Sequence, residues 1–303
     1  MLIALAVIVG LVLLISLICY IKVFYSPLPG QSVYSIPNSG QYQGMRDRMR
    51  EMIKVFAEKE YESVEIISRD GLKLRGRLYL NDPEGPVDIC FHGYRSNGMR
   101  DFCGGSEISF ELNHNIILVD QRGQGESEGH TICFGIKERF DVLSWINYAS
   151  CRFGDDREIN LFGVSMGAAT VLMASGLELP ENVKHIVADC PYSSPADIIK
   201  TVCTDMHLPT ALVYPFIRLG AFIFGRFDLE KTSAAEAVKK AIVPILLIHG
   251  EDDRFVPCSM STEIKMANPS LIELVTFPNA AHGISYIVDR ERYRRIAKEF
   301  IAK

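Results

Sequence analysis

Residues 163–167 read Gly-Val-Ser-Met-Gly, a pattern that places one serine between two glycines. The run before it is apolar and the run after it is rich in alanine, so the serine lies where a buried strand is predicted to turn into a helix. Small residues on either side of Ser165 would avoid clashes in a turn tight enough to lift one side chain above a sheet. The motif alone occurs often by chance, but its place between a strand and a helix makes Ser165 a candidate nucleophile.

A serine hydroxyl is a poor nucleophile unless a base accepts its proton, and histidine is the usual base. Of the seven histidines, His282 follows the last apolar run, in a loop from which its ring could reach across a sheet edge. His92 and His249 each precede a glycine at the end of an apolar run, which is more typical of a ring that anchors a loop. No helpful context surrounds the remaining four, which are His114, His130, His185 and His207. We therefore expect His282 to be the base.

The base in turn needs a carboxylate to orient its ring. Three acidic residues follow the apolar run "VPILLIHG", and they are Glu251, Asp252 and Asp253. Such a cluster usually lies in a solvated turn, so only its position after a strand can indicate that one of these residues is the acid. Asp253 is the preferred acid, Asp252 is the second choice, and Asp189, which ends another apolar run, is the third.

A reacting carbonyl also needs hydrogen-bond donors for its developing negative charge, and removing one donor typically costs a few kcal/mol. The backbone N–H of Met166, next to the candidate nucleophile, is one expected donor. The other is the N–H of Tyr94 in "HGYRSN", the loop after the apolar run "VDICFHG". The ring of Tyr94 could line a pocket or lie at the surface.

Strands and helices alternate along the chain and must carry these residues. Two strands are predicted around a turn at Asp70–Gly71, and six more in "VDICFHG", "NIILVD", "INLFGVS", "VKHIVADC", "VPILLIHG" and "LIELVTF". Helices are predicted from Met45 to Phe56 and near 136–150, 166–178, 259–267 and 284–302. Apolar strands that alternate with helices predict an α/β fold with a mostly parallel sheet covered on both faces. Ligand sites form beyond the carboxyl ends of such strands, which is where the candidate residues lie.

The N-terminal segment is of a different kind, because residues 2–21 carry no charge. About 20 apolar residues are what an α-helix needs to cross a bilayer. A core helix would be less uniformly apolar, and a cleaved signal peptide usually has a positive start and a small-residue cleavage site. We expect residues 1–25 to be an uncleaved transmembrane anchor. Lys22 and the basic residues of 46–54 follow the span, so a single-pass protein with its C-terminal part in the cytoplasm is predicted.

Composition limits the number of domains and the kinds of ligand that the chain could bind. The chain has 303 residues, 48% of them hydrophobic, and a formal net charge of −5. This suits one large domain, placed at 62–303, after a linker rich in Pro, Ser and Gly at 26–41 and a packing helix that ends before residue 62. A mildly acidic chain without a basic block argues against nucleic-acid binding. Eight cysteines without paired spacing indicate reduced thiols, and no metal or other cofactor is expected.

From about residue 62 to the end, the chain resembles α/β-hydrolases of the serine aminopeptidase and lysophospholipase-like group. It is similar to the membrane-anchored bacterial hydrolases close to Bem46. The motifs that carry the resemblance are "SRDGLKLRGRLYL", "FHGYRSN", "DQRGQGESEG", "GVSMG", "HGEDDRFVP" and "AAHG". Gln124 departs from the histidine common in the third motif, and Arg122 there is expected to be a structural ion-pair partner.

The resemblance implies a serine hydrolase in which Ser165, Asp253 and His282 form a catalytic triad, in the chain order of this fold. It also implies that the N–H groups of Tyr94 and Met166 form the oxyanion hole.

The apolar segment at about 190–240 is expected to form a short helical lid over the site. An apolar lining suits an acyl or aromatic group, and an anchor concentrates amphiphilic esters near the protein. These features favour a membrane-anchored hydrolase of carboxylic esters, such as acyl or lysophospholipid-like substrates. A serine aminopeptidase of the same fold and a non-catalytic membrane module are the alternatives. The natural substrate and the oligomeric state are left open.

Overall fold

The computed structural model describes residues 1–27, 34–36, 42 and 44–303. The chain begins with helix α1, Leu2–Val23, which by length and composition could cross a membrane. Most of α1 is exposed, and only its last turns are buried against the rest of the chain. The predicted linker at 26–41 lies mostly outside the described residues. The packing helix predicted after it is α2, Arg46–Ala57.

Eight strands form one sheet within the described residues. They are β1 Glu62–Ile67, β2 Lys73–Tyr79, β3 Val87–Phe91, β4 Asn115–Val119, β5 Ile159–Val164, β6 Val183–Asp189, β7 Ile245–Gly250 and β8 Ile272–Phe277. Their order across the sheet is β1-β2-β4-β3-β5-β6-β7-β8. β2 is antiparallel to both β1 and β4, and every other neighbouring pair is parallel. The prediction of a mostly parallel sheet is confirmed.

Helices connect most of the strands. They are α3 Gly98–Asp101, α4 Ser106–Glu111, α5 Glu138–Phe153, α6 Met166–Ala174, α7 Pro195–Asp205, α8 Thr210–Ile223, α9 Ala234–Ala237, α10 Cys258–Ala267, α11 Ser285–Val288 and α12 Arg290–Ile301. The single helix predicted near 284–302 is thus two helices. The carboxylate of Asp289 accepts the backbone N–H of Arg292 and starts α12 as a new helix. The segment predicted as a lid contains α7, α8 and α9.

The sheet is buried on both faces, which explains the continuous apolar runs in its strands. Every residue of β3, β4 and β7 is buried. On one face the strands pack against α5 and α6, where Trp145 is fully buried. On the other face they pack against α2, α4 and α12. This two-sided packing holds the carboxyl ends of the strands in fixed positions.

A buried ion-pair cluster fixes the loop after β4. The guanidinium of Arg122 donates to Asp141 on α5, with Nε 2.6 Å from Oδ2, and to Asp70, with Nη1 2.8 Å from Oδ2. The side chains of Arg122 and Asp141 are both buried. Hydrogen bonding from Arg122 holds the pKa of the Asp70 carboxyl well below its ordinary value. Arg122 therefore has the structural role expected from the sequence.

Replacing Asp141 by asparagine should destabilise the fold, because it leaves the buried charge of Arg122 partly unpaired. Breaking one partner of a buried pair typically costs about 3–5 kcal/mol. The matched control is Glu236→Gln, which removes the exposed pair with Lys239 and should cost at most about 1 kcal/mol. Thermal unfolding in detergent measures both variants, and equal shifts in Tm would contradict the structural role of the cluster.

Candidate active site

Ser165 lies in the turn between β5 and α6, with a φ of 55°. This left-handed conformation is rare for a residue with a side chain and stores backbone strain. A Cβ on Gly167 would overlap the carbonyl oxygen of Phe91, and a Cβ on Gly163 would overlap the backbone of Gly167. Both glycines are thus required by close backbone approach. Ser165 retains 7% exposure at the carboxyl end of the sheet.

His282 connects the serine to a carboxylate. It lies in the loop between β8 and α11, and its Nε2 is 2.9 Å from the Oγ of Ser165. Its Nδ1 is 2.7 Å from Oδ2 of Asp253, in the loop after β7. With Nδ1 protonated, Nε2 is free to accept the serine proton. The structure thus brings together three residues that are far apart in the sequence.

Asp253 is held as a carboxylate by several donors. Its Oδ1 accepts the backbone N–H groups of Phe255 and Val256, each at 2.9 Å. Burial opposes its ionisation, but hydrogen bonds with His249, His282 and Val256 outweigh this effect and hold the pKa of Asp253 well below its ordinary value. The side chain therefore remains charged next to His282.

His249 is a neighbour of this site whose contact with the acid the sequence did not predict. Its Nε2 lies 2.9 Å from the carbonyl oxygen of Val256 and 3.3 Å from Oδ2 of Asp253, and its Nδ1 is 2.6 Å from the Oγ of Ser261. The ring anchors the loop after β7, as its place before Gly250 suggested. It also fixes the position of the carboxylate.

The two alternative acids are not next to His282. Asp252 is exposed. Asp189 ends β6, and its Oδ2 accepts the hydroxyl of Tyr293 at 3.0 Å. Burial raises the pKa of Asp189 to about 6. Its backbone carbonyl instead accepts the N–H of Ser165 at 2.8 Å.

The loop after β3 carries Tyr94 and faces the serine turn. A Cβ on Gly93 would lie 3.3 Å from the Cβ of Ser165, so the loop passes very near the serine. The carboxylate of Asp101 accepts the N–H of Gly93 at 2.7 Å and the hydroxyl of Ser96, and it fixes the loop. His92 anchors the same loop, with Nδ1 2.8 Å from the carbonyl oxygen of Gly93.

The N–H groups of Tyr94 and Met166 are available as donors. Met166 is the first residue of α6, where backbone N–H groups have no partner in the helix. Within the described residues, neither N–H donates a hydrogen bond. The phenol hydroxyl of Tyr94 donates to the carbonyl of Val23 at 2.7 Å.

Cys190 completes the surroundings of His282. Its Sγ is 4.0 Å from Nε2 of His282, and burial raises the pKa of this thiol well above its ordinary value. Cys190, Asp253 and His282 are residue types that bind metals, and their donor atoms lie within 4.8 Å of one another. A metal there would need a thiolate and would have to break the contacts of His282 with Asp253 and Ser165. The group therefore fits proton transfer better than metal binding.

The largest cavity among those described is not at this site. It has a volume of about 720 Å³ and is lined by charged residues of the segment between β6 and β7, including Lys200, Glu230 and Glu236. A small enclosed cavity of about 40 Å³ lies beneath the serine turn, next to Asp101 and Asp189. The chemistry is therefore located by the side-chain contacts and not by cavity size.

Comparison with known proteins agrees with the geometry. The α/β-hydrolase fold family matches residues 89–205. The protein YqkD of Bacillus subtilis is 24% identical over 257 residues, which are 84% of each chain. Bem46 of Schizosaccharomyces pombe is 25% identical over 251 residues, 80% of this chain and 77% of Bem46. A solved structure of an esterase from Pyrococcus furiosus has a TM-score of 0.67 and 21% identity over 92% of this chain and 97% of the esterase. The chain therefore has the α/β-hydrolase fold and is similar to proteins of the Bem46-like group.

Proposed function

We propose that this protein is a membrane-anchored serine hydrolase that cleaves carboxylic esters. Ser165 is the nucleophile, His282 the general base and Asp253 the acid that orients the base. The observation that supports this most is the position of His282, 2.9 Å from the Oγ of Ser165 and 2.7 Å from the carboxylate of Asp253. A general base must lie within this reach of the proton it accepts.

In the first half of the reaction, the Oγ of Ser165 attacks the ester carbonyl while Nε2 of His282 accepts its proton. The ionised carboxylate of Asp253 stabilises the imidazolium that forms. The N–H groups of Tyr94 and Met166 donate to the oxyanion. His282 then gives the proton to the departing alkoxide, which leaves as an alcohol and an acyl-enzyme remains.

In the second half, water attacks the acyl-enzyme and His282 accepts one of its protons. The tetrahedral species collapses, the Oγ of Ser165 takes that proton back, and the carboxylic acid is released. The low pKa of Asp253 keeps its carboxylate ionised at mildly acidic pH. Loss of activity on mild acidification should therefore not arise from protonation of Asp253.

Two observations favour an ester substrate. The apolar helix α1 would hold the domain beside a bilayer, where amphiphilic esters are concentrated. The solved structure from Pyrococcus furiosus, which covers most of the chain, is that of an esterase. A serine aminopeptidase would use the same three residues, so the substrate panel described below separates the two.

The anchor is α1. Its sequence is free of charge from residue 2 to residue 21, and most of the helix is exposed to the surroundings. Lys22 and the basic residues of α2 follow the span, which favours a cytoplasmic hydrolase domain.

Ser165→Ala should abolish labelling by a fluorophosphonate probe, which reacts with activated serines. The wild type and the control Ser270→Ala, at an exposed position, should both be labelled. The wild type should hydrolyse p-nitrophenyl esters in a panel of acyl lengths. Activity confined to aminoacyl amides would instead support the aminopeptidase, and unlabelled but folded wild type would refute both.

Asp253→Asn should lower kcat by about 10⁴-fold, because the amide cannot hold the correct tautomer of His282. Asp252→Asn is the matched control and should change kcat less than about 3-fold, since its side chain is exposed. Ester hydrolysis by purified variants of equal Tm measures the difference. A larger loss for Asp252→Asn or for Asp189→Asn would reassign the acid.

A C-terminal tag should be protected from external protease in intact cells and cleaved only after lysis. Cleavage in intact cells would reverse the cytoplasmic assignment, and recovery of the protein in the soluble fraction would refute the anchor. A second tag before residue 2 should show the opposite accessibility.

A further inference from the structure

Helix α1 does not leave the domain as a free tether. Its last turns pack along α8, with Ser16 and Tyr20 buried between the two helices. A Cβ on Gly220 of α8 would overlap the carbonyl oxygen of Ser16, so the two backbones touch. The ring of Phe224 lies 5.8 Å from the ring of Tyr20. Close approach at a small residue is typical of helices that pack within membranes.

Further contacts hold the end of α1 in place. The hydroxyl of Tyr20 is 2.7 Å from the Oγ1 of Thr131, and the N–H of Ile132 donates to the carbonyl of Phe24 at 2.8 Å. Phe24 is fully buried, and Tyr94 donates to the carbonyl of Val23. The angle between the span and the domain is therefore fixed by the fold.

The length of the span sets the depth of α8. About 20 residues are needed to cross the hydrocarbon core, so the uncharged segment from residue 2 to residue 21 must lie in it nearly entirely. Ser16 is then about 8 Å inside the hydrocarbon boundary, at a rise of about 1.5 Å per residue. Because Gly220 contacts Ser16, this part of α8 must lie at the same depth.

The outer face of α8 suits this environment. Leu212 is 64% exposed and Phe222 is 65% exposed, and the partly exposed Phe216, Leu219 and Ile223 lie on the same face at helical spacing. Among the described residues, little covers Leu212 and Phe222, and Phe216 and Leu219 are covered only in part. Such a face is costly in water and favourable among acyl chains.

The one charged residue of α8 lies at the edge of this face. The guanidinium of Arg218 is 2.7 Å from Glu230 and 3.7 Å from Asp228, both of which follow the helix. Arginine side chains at a membrane boundary commonly direct their charge out of the apolar region in this way. The ion pairs keep the charge of Arg218 off the apolar surface.

We propose that α8 is an interfacial membrane helix whose outer face, formed by Leu212, Phe216, Leu219, Phe222 and Ile223, contacts the acyl chains of the leaflet that holds the end of α1. Its partner is a lipid bilayer. An amphipathic helix of this kind lies with its apolar face about 5–10 Å deep, which matches the depth set by Ser16. The inference rests on the proposed membrane anchor and extends it to the segment between β6 and β7.

Tryptophan fluorescence in liposomes that contain brominated phosphatidylcholine tests the proposal on the full-length chain. Bromine quenches a tryptophan only when the ring enters the acyl region. Leu212→Trp and Phe222→Trp should each lose more than half of the added fluorescence. The native Trp145 is fully buried on α5 and provides a constant background.

Two variants make the result specific. Ile242→Trp is the matched control, because Ile242 is 79% exposed and precedes β7 at the opposite end of the sheet, and it should not be quenched. Leu5→Trp reports on α1 itself and should be quenched.

Each failure has a distinct meaning. Quenching at Leu5 without quenching at positions 212 and 222 would overturn the interfacial helix and leave the anchor standing, and crosslinking between copies through Leu212→Cys would then identify a second chain as the partner. Absence of quenching at all three positions would overturn both the anchor and the interfacial helix. The readout needs no turnover, so failure of the proposed hydrolase would not affect it.

Discussion

The close contact between the first turn of α6 and the end of β3 is the constraint on which the site depends. Because Gly167 lies directly against the carbonyl of Phe91, the N-terminus of α6 and the loop after β3 meet at one point. The N–H groups of Met166 and Tyr94 are brought near the serine by the same contact. The positive end of the helix dipole faces the position where negative charge would develop. A single steric requirement thus determines both the strained conformation of Ser165 and the place of its candidate oxyanion donors.

Local electrostatics shift the pKa values of two buried carboxyl groups, Asp189 at the end of β6 and Asp253 after β7, in opposite directions. Asp253 is surrounded by donors, two backbone N–H groups and two imidazoles, and they offset the cost of burial. Asp189 has one phenol donor, and its Oδ1 has no partner within the described residues, so burial dominates and raises its pKa to about 6. The two groups differ by only one strand in position. The opposite directions of their pKa shifts follow from the number of donors around each.

The strands and the positions after them could be predicted from the sequence, because strands buried on both faces leave continuous apolar runs. The placement of Ser165 and His282 at strand ends followed from those runs and from two glycine-flanked motifs. The contact of His249 with Asp253 could not be predicted, because it depends on how the short loop after β7 folds back onto the end of its own strand. The break before α12 was missed because the cap at Asp289 interrupts a pattern that otherwise continues. The packing of α1 on α8 was missed because uniformly apolar helices carry no periodic signal that marks the packed face.

The burial of Phe24 gives the N-terminal helix a second role. Its ring fills a socket made by Phe134 and Phe227, with ring centroids 5.7 Å and 5.3 Å away. A chain shortened past residue 24 would lose this ring and leave a cavity among aromatic side chains, beside the loop that carries Tyr94. The end of the N-terminal segment therefore also belongs to the interior of the domain, and the core of the domain is complete only while Phe24 is attached.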